Sequence, residues 1–168
     1  MASLLDTISE NLVTTIETIT VANGYANNIG TAAGGGGAQR FRQSGQTFTI
    51  LPTVMIAEAG ETKERGADGH GGGSYTCNAS YELDVVSTTP SGASSSAAHV
   101  LSLVADMEKA LRVDRHRGLG AAVVETRLQG SDPWFEVGEN GIPYVGATVR
   151  ITVIYRHSAT DPGVGFPP

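Results

Sequence analysis

Two glycine-rich stretches of this sequence have a spacing that could indicate phosphate binding. Twelve of the 22 glycines lie between Gly30 and Gly73, in one cluster at 30–45 and another at 60–73. A glycine-rich loop can bind phosphate through its backbone N–H groups, but the phosphate-loop motif also needs Gly-Lys-Ser/Thr, and no Gly-Lys pair occurs. A dinucleotide site would need its glycines between a strand and a helix. We therefore predict two long flexible loops in place of a phosphate site.

Acidic side chains and a histidine in the second cluster are the next candidates for chemistry. Glu58, Glu61 and Glu64 precede Asp68 and His70, so the region could hold paired catalytic carboxylates or a metal. No local environment that would raise a carboxyl pKa can be identified, and acidic residues in such loops are usually solvated. We therefore expect no enzyme activity, no catalytic residue, no metal and no cofactor, with a small metal- or ligand-binding domain as an alternative.

The single cysteine and the remaining three histidines are weaker candidates for catalysis or metal binding. The single cysteine, Cys77, excludes an intramolecular disulfide and is expected to fill space in the core. His99, His116 and His157 lack the three- or four-residue spacing of a local metal clamp, and His99 is predicted on the solvent side of a helix.

Arginine and aromatic side chains are the best candidates for contact with a partner. The run Arg112–Arg117 could meet an acidic surface or phosphate, or its charges could complement a helix dipole. Trp134 and Phe135 are predicted in a loop between strands, where they could be exposed at an interface or fold back over the sheet. The predicted assembly interface comprises Arg40, Arg42, Arg115, Arg117, Trp134 and Phe135.

Composition limits the classes of protein that this chain can represent. Its 168 residues fit one domain, predicted over residues 1–160 with a flexible tail at 161–168. The net charge of -6 argues against a protein that coats nucleic acid. No run of 18 apolar residues suggests a membrane span, and acidic residues within 1–13 argue against a signal peptide. We expect a soluble protein.

The first half of the chain is predicted to contain one helix and three strands. Apolar residues recur every three or four positions over residues 3–20, which is typical of an amphipathic helix. Short strands are predicted at 25–29 and 50–57. Strict alternation of apolar and polar residues over 75–86 predicts a longer strand with one buried face.

The second half is predicted to contain one helix and two strands. A serine near residue 94 should cap a helix that runs to about Arg112, with Ser102, Asp106 and Lys109 on its solvent side. Its buried stripe is predicted to be Ala97, Val100, Leu101, Val104, Met107 and Leu111. Strands follow at 121–128 and 142–155. The predicted fold class is α+β, with a mostly antiparallel sheet, two helices on one face and long glycine-rich loops.

The order of these elements resembles the tail terminator, or tail completion, proteins of long-tailed bacteriophages. The likeness rests on the opening helix and strand, on a strand similar to the family's "LPAV" strand, on a long strand, on a helix similar to its "LLADIERAL" helix and on a strand similar to its "FRVRYR" ending. These stretches are Leu4–Ile29, Leu51–Glu58, Tyr75–Val86, Ala97–Leu111 and Val149–Arg156. Together they cover most of the chain.

The resemblance implies a structural role in the virion tail, assembled in the host cytoplasm. It implies a homo-oligomer, a hexameric ring on the head-proximal end of the tail tube, that stops tube polymerisation and provides the head-joining surface. The partners would be the tail tube protein and a neck or head-completion protein, with DNA only passing through the lumen and no catalysis. A head–tail connector or neck ring component of the same virion is the nearest alternative.

Overall fold

The computed structural model describes residues 3–40, 49–66, 73–138 and 141–159 and shows an α+β fold. Two helices pack on one face of a five-stranded sheet, whose order is β1-β2-β3-β5-β4. Among the described strand pairs, β1–β2 is parallel and the other three are antiparallel. The elements are α1 (Leu4–Glu17), β1 (Gly37–Arg40), β2 (Thr53–Arg65), β3 (Ser74–Thr88), α2 (Ser96–Val113), β4 (Val123–Val137) and β5 (Pro143–Ser158), with 3-10 turns at Val21–Asn23, Thr31–Ala33 and Gly120–Ala122. The predicted fold class is confirmed.

Helix α1 forms where the apolar periodicity predicts it. The side chain of Ser3 accepts a hydrogen bond from the backbone N–H of Asp6 (3.1 Å) and so caps the helix start. The apolar stripe, formed by Leu4, Ile8, Leu12 and Ile16, is buried against the sheet.

The strand predicted at 25–29 is wrong, because this segment is held by a side chain of the second helix. The carboxylate of Asp106 accepts hydrogen bonds from the backbone N–H groups of Ala26 (3.0 Å) and Asn27 (2.8 Å). It also accepts one from the Asn27 side-chain amide (2.8 Å). Those donors cannot pair with a neighbouring strand, so the chain turns and buries Ile29.

The first glycine cluster is compact in its described part and does not form the predicted flexible loop. A Cβ atom on Gly35 would lie 2.1 Å from the Ile29 carbonyl oxygen, and one on Gly30 would lie 2.1 Å from the Glu17 carbonyl oxygen. The Glu17 carboxylate accepts hydrogen bonds from the backbone N–H groups of Thr31 (2.7 Å) and Ala38 (2.9 Å). The glycines therefore permit close backbone approach. Residues 41–48 lie outside the described part.

Strand β2 is longer than the predicted 50–57 and takes in the start of the second glycine cluster. Gly60 lies at a register shift in the β2–β3 ladder, with a φ of +146° that favours glycine. Residues 67–72, with Asp68 and His70, lie outside the described part. Strand β3 confirms the predicted alternation, since Cys77, Ala79, Tyr81, Leu83 and Val85 are all buried.

Helix α2 confirms the predicted cap region but only part of the predicted stripe. Ser95 accepts a hydrogen bond from the backbone N–H of Ala98 (3.1 Å). Of the predicted stripe, Val100, Val104, Met107 and Leu111 are buried, whereas Ala97 and Leu101 are exposed. The buried face is rotated toward Leu103 and Ala110, and it includes Asp106, which was predicted on the solvent side. His99 was also predicted there but is partly buried, with its Nε2 3.0 Å from the Ser87 hydroxyl.

The two long hairpins of the sheet, β2–β3 and β4–β5, have their connections at opposite ends. Ser74 at the start of β3 pairs with Ser158 at the end of β5, whereas Thr88 at the end of β3 pairs with Tyr144 near the start of β5. The β2–β3 connection therefore lies at one end of the sheet and the β4–β5 connection at the other. Residues 58–65 and 129–137, which approach the two tips, are mostly exposed.

The sheet face opposite the helices is polar, as the alternation predicts. Arg150 on this face donates to Glu82 (3.1 Å) and also pairs with Asp132. One arginine thus balances part of the charge of two carboxylates on this face.

Candidate assembly interface

The two predicted interface aromatics lie on an edge strand, so their assignment to a loop is wrong. Trp134 and Phe135 belong to β4, which forms one edge of the sheet. They pair with Gly146 and Val145 of β5. A Cβ atom on Gly146 would lie 2.5 Å from the indole ring of Trp134, so the absence of a side chain there lets the ring cover the strand. Phe135 is on the helix side, and its side chain is 62% exposed.

An apolar groove lies between helix α2 and the edge strand β4, with a volume of about 440 Å³. We call it the α2–β4 groove; it is lined by Ser96, Ala97, Val100, Leu101, Pro133, Trp134, Phe135 and Val145. Leu101 is 61% exposed. Exposed apolar side chains that adjoin one another mark contact sites more often than isolated ones do. None of the lining residues is charged, so the groove suits an apolar partner.

The apolar surface continues from the groove toward the tip of the β4–β5 hairpin. Val137 follows Phe135 on the same strand face, and Ile142 immediately precedes β5; both side chains are exposed. Sequence reasoning missed Leu101, Val137 and Ile142. Nothing in the neighbouring sequence indicates that these side chains are exposed, because apolar residues in helices and strands usually belong to the core.

Among the described strands, β4 pairs only with β5, so its other backbone edge lies beside the groove. Pro133 interrupts that edge because proline has no N–H group, and a register shift near Gly130 bends it. Such features protect an edge from uncontrolled strand addition. The side chains of the groove are therefore better suited to specific recognition here than the backbone edge.

The basic run at the end of α2 divides into exposed and buried arginines. Arg115 is exposed and lines a cleft of about 540 Å³ together with Arg112 and Arg127. Arg112 and Arg127 pair with Glu108 (3.1 Å) and Glu125 (2.7 Å), respectively. Much of the positive charge is thus neutralised within the subunit.

Arg117 lies inside the fold, although the sequence suggested it as an interface residue. Its side chain is fully buried and donates hydrogen bonds to the carbonyl oxygen of Leu111 and to the Thr15 hydroxyl (3.3 Å). Arg117 therefore caps the carboxyl end of α2 and joins it to α1. Its charge complements the helix dipole, as the alternative interpretation of the basic run predicts. In the folded subunit this side chain offers no surface to a partner.

Arg40 also acts mainly within the subunit. Its guanidinium contacts the carboxylates of Asp6 (3.2 Å), Glu10 (3.2 Å) and Glu58 (2.7 Å), and so joins α1 to the sheet. Burial lowers the pKa of Arg40, but the three carboxylates outweigh that effect and raise it. The hydrogen bond from Arg40 lowers the pKa of Asp6. Arg42 lies outside the described residues.

Two of the candidate catalytic groups, Glu58 and Glu61, are engaged in structural contacts. Glu61 accepts a hydrogen bond from Tyr155 and pairs with Lys63 (2.9 Å). Burial raises the pKa of the Cys77 thiol, which disfavours the reactive thiolate. Within residues 3–40, 49–66, 73–138 and 141–159, no group of three histidine, cysteine or acidic residues could hold a metal. In the same ranges, neither helix has the length and hydropathy that a membrane span needs.

No protein-family model and no curated protein matches the sequence of this chain.

Proposed function

We propose that this chain is a structural virion protein of a long-tailed bacteriophage. Copies of it would form a hexameric ring that caps the tail tube, ends tube polymerisation and provides the head-joining surface. The order of elements resembles that of tail terminators, and the single observation that carries the proposal is the exposed α2–β4 groove. An uncharged surface of this kind is stable in water mainly when a partner covers it.

The positions of the hairpins support a subunit with two different partners. Ring formation uses heterologous contacts, in which one surface of a subunit meets a different surface of the next. The groove lies at the side of the sheet, so it is suited to contacts around the ring. The two hairpins lie at opposite ends, so one can contact the tail tube protein and the other a neck or head-completion protein.

The charge distribution supports a ring through which DNA passes without adhering. The chain carries a net charge of -6, and Arg40, Arg112, Arg127 and Arg150 all pair with carboxylates of the same subunit. Strong binding to DNA needs arginine and lysine side chains that are free to neutralise phosphates. The proposed function includes no catalytic step and no cofactor.

Electron microscopy of tails assembled without this protein tests the proposal directly. A terminator predicts tubes that exceed the normal length, because nothing stops the addition of tube subunits. Tubes of normal length that fail to join heads would instead identify a neck ring component. Normal tails joined to heads would refute both functions.

Light scattering on the purified chain tests the ring itself. The expected mass, alone or with tail tube protein, is about six times the 17.4 kDa of one subunit. A chain that stays monomeric under both conditions would refute the proposed ring.

A further inference from the structure

The α2–β4 groove has the chemistry of a site for a proline-containing apolar segment. Pro133 and Phe135 of β4 line one wall and Leu101 of α2 lines the other, whereas the ring of Trp134 lies against Gly146. Grooves lined by aromatic rings bind proline-rich segments well, because these segments are already extended and lose little entropy on binding.

Residues 160–168 of this chain have that composition. They follow β5 and include Val164, Phe166, Pro167 and Pro168, with Asp161 as the single charged residue. Pro162, Pro167 and Pro168 have no N–H group, which disfavours continuous pairing with the edge of β4. Their apolar side chains match the uncharged lining of the groove.

Chain length determines which copy of the groove Phe166 can reach. Residue 158, at the end of β5, is thirteen residues from Val145 in the groove, or about 43 Å along an extended strand. Phe166 follows Ala159 by seven residues, which span about 25 Å when fully extended. Phe166 therefore cannot reach the groove of its own subunit.

From these observations we infer that residues 160–168 of one subunit bind in the α2–β4 groove of a second copy of this chain, with Phe166 as the anchor. Residues 160–168 of each subunit then bind one neighbour, and its groove binds the same segment of another. Such a head-to-tail contact closes into a ring when the rotation between subunits permits. The inference rests on the proposed function only in requiring that copies of the chain associate.

A peptide of residues 159–168 tests the docking without requiring a ring. Isothermal titration calorimetry measures the binding, because the indole ring of Trp134 lies against Gly146 and does not report directly on the groove. Full-length Phe166→Ala protein should bind the peptide saturably, and adding Leu101→Glu should weaken binding about tenfold or more. Val113→Glu, which places the same charge at an exposed position of α2, should leave binding unchanged. Absence of saturable binding, or equal binding by the Leu101→Glu protein, would overturn the inference.

Mixing two full-length variants tests whether the contact is head-to-tail. Phe166→Ala removes the anchor and Leu101→Glu removes the groove, so each variant alone should be monomeric. A mixture retains one complete contact and should give heterodimers that grow no further. Full-size rings of either variant alone would overturn the docking inference and leave the proposed function standing. Wild-type protein that never associates, even with tail tube protein, would refute the proposed function, while the peptide result would still decide whether the groove binds the segment.

Discussion

Arginines 115 and 117 lie two residues apart, yet their side chains should have opposite effects when they are truncated. Arg117 is buried between the two helices, whereas Arg115 is exposed on the surface. We predict that Arg117→Ala destabilises the folded subunit, and that Arg115→Ala leaves the free energy of unfolding essentially unchanged. The two variants remove the same side chain and the same charge, so each serves as the matched control for the other.

The expected loss can be worked out from the hydrogen bonds of Arg117. A hydrogen bond from a charged donor contributes about 1.5–3 kcal/mol, and Arg117 donates to the Leu111 carbonyl oxygen and the Thr15 hydroxyl. Its Nε has no partner, and the cost of burying that donor offsets part of the gain. We therefore expect Arg117→Ala to lower the free energy of unfolding by about 2–3 kcal/mol. For a domain of this size, the melting temperature should fall by roughly 5–10 °C.

Urea denaturation followed by far-ultraviolet circular dichroism measures this loss. Arg117→Met provides a second comparison, because it keeps most of the buried apolar length but donates no hydrogen bond to Leu111. Arg117→Met should therefore regain only the part of the lost free energy of unfolding that comes from apolar packing. If Arg117→Ala were as stable as the wild type, or if Arg115→Ala lost as much, the assignment of Arg117 to the interior would be refuted.

Three further predictions concern other buried contacts. Asp106→Ala should lower the free energy of unfolding by about 3 kcal/mol, because the N–H groups of Asn27 lose their acceptor. In the same urea denaturation assay, Asp106→Asn should regain part of that lost free energy. Gly35→Ala should cost about 2 kcal/mol or more, since the added Cβ would clash with the Ile29 carbonyl; an unchanged melting temperature would refute that close approach. Burial lowers the pKa of His99, so the stability of its neutral form is fully present above the unfolded pKa of about 6.5 and is lost as the pH falls through the lower folded pKa. Wild-type protein should therefore lose more stability below that pH than His99→Gln, and equal pH profiles would contradict this.

Elements that bury one face were predictable from the sequence. Strand β3 and most of β5 alternate because one face packs on the helices and the other faces solvent, which produces a period of two. Helix α1 shows the corresponding period of 3.6. In these elements, the local pattern and the tertiary environment agree.

The outer parts of β2 and β4 were not predictable in the same way. Their side chains are mostly exposed on both faces, so no alternation marks them. They are strands because β3 and β5 extend beside them and supply hydrogen-bond partners. For this reason the sequence favours a loop at Trp134 and Phe135 where the structure has a strand.

By itself, the sequence determined the fold class and the core faces of α1, β3 and β5. These features are visible in the sequence because the burial of one face produces a periodic pattern of apolar residues. The tertiary structure alone decided that Asp106 and Arg117 are buried, that the first glycines allow close packing, and that Leu101 joins Phe135 in one groove. Each of those outcomes depends on groups far apart in the chain, whose hydrogen bonds and contacts leave no periodic signal.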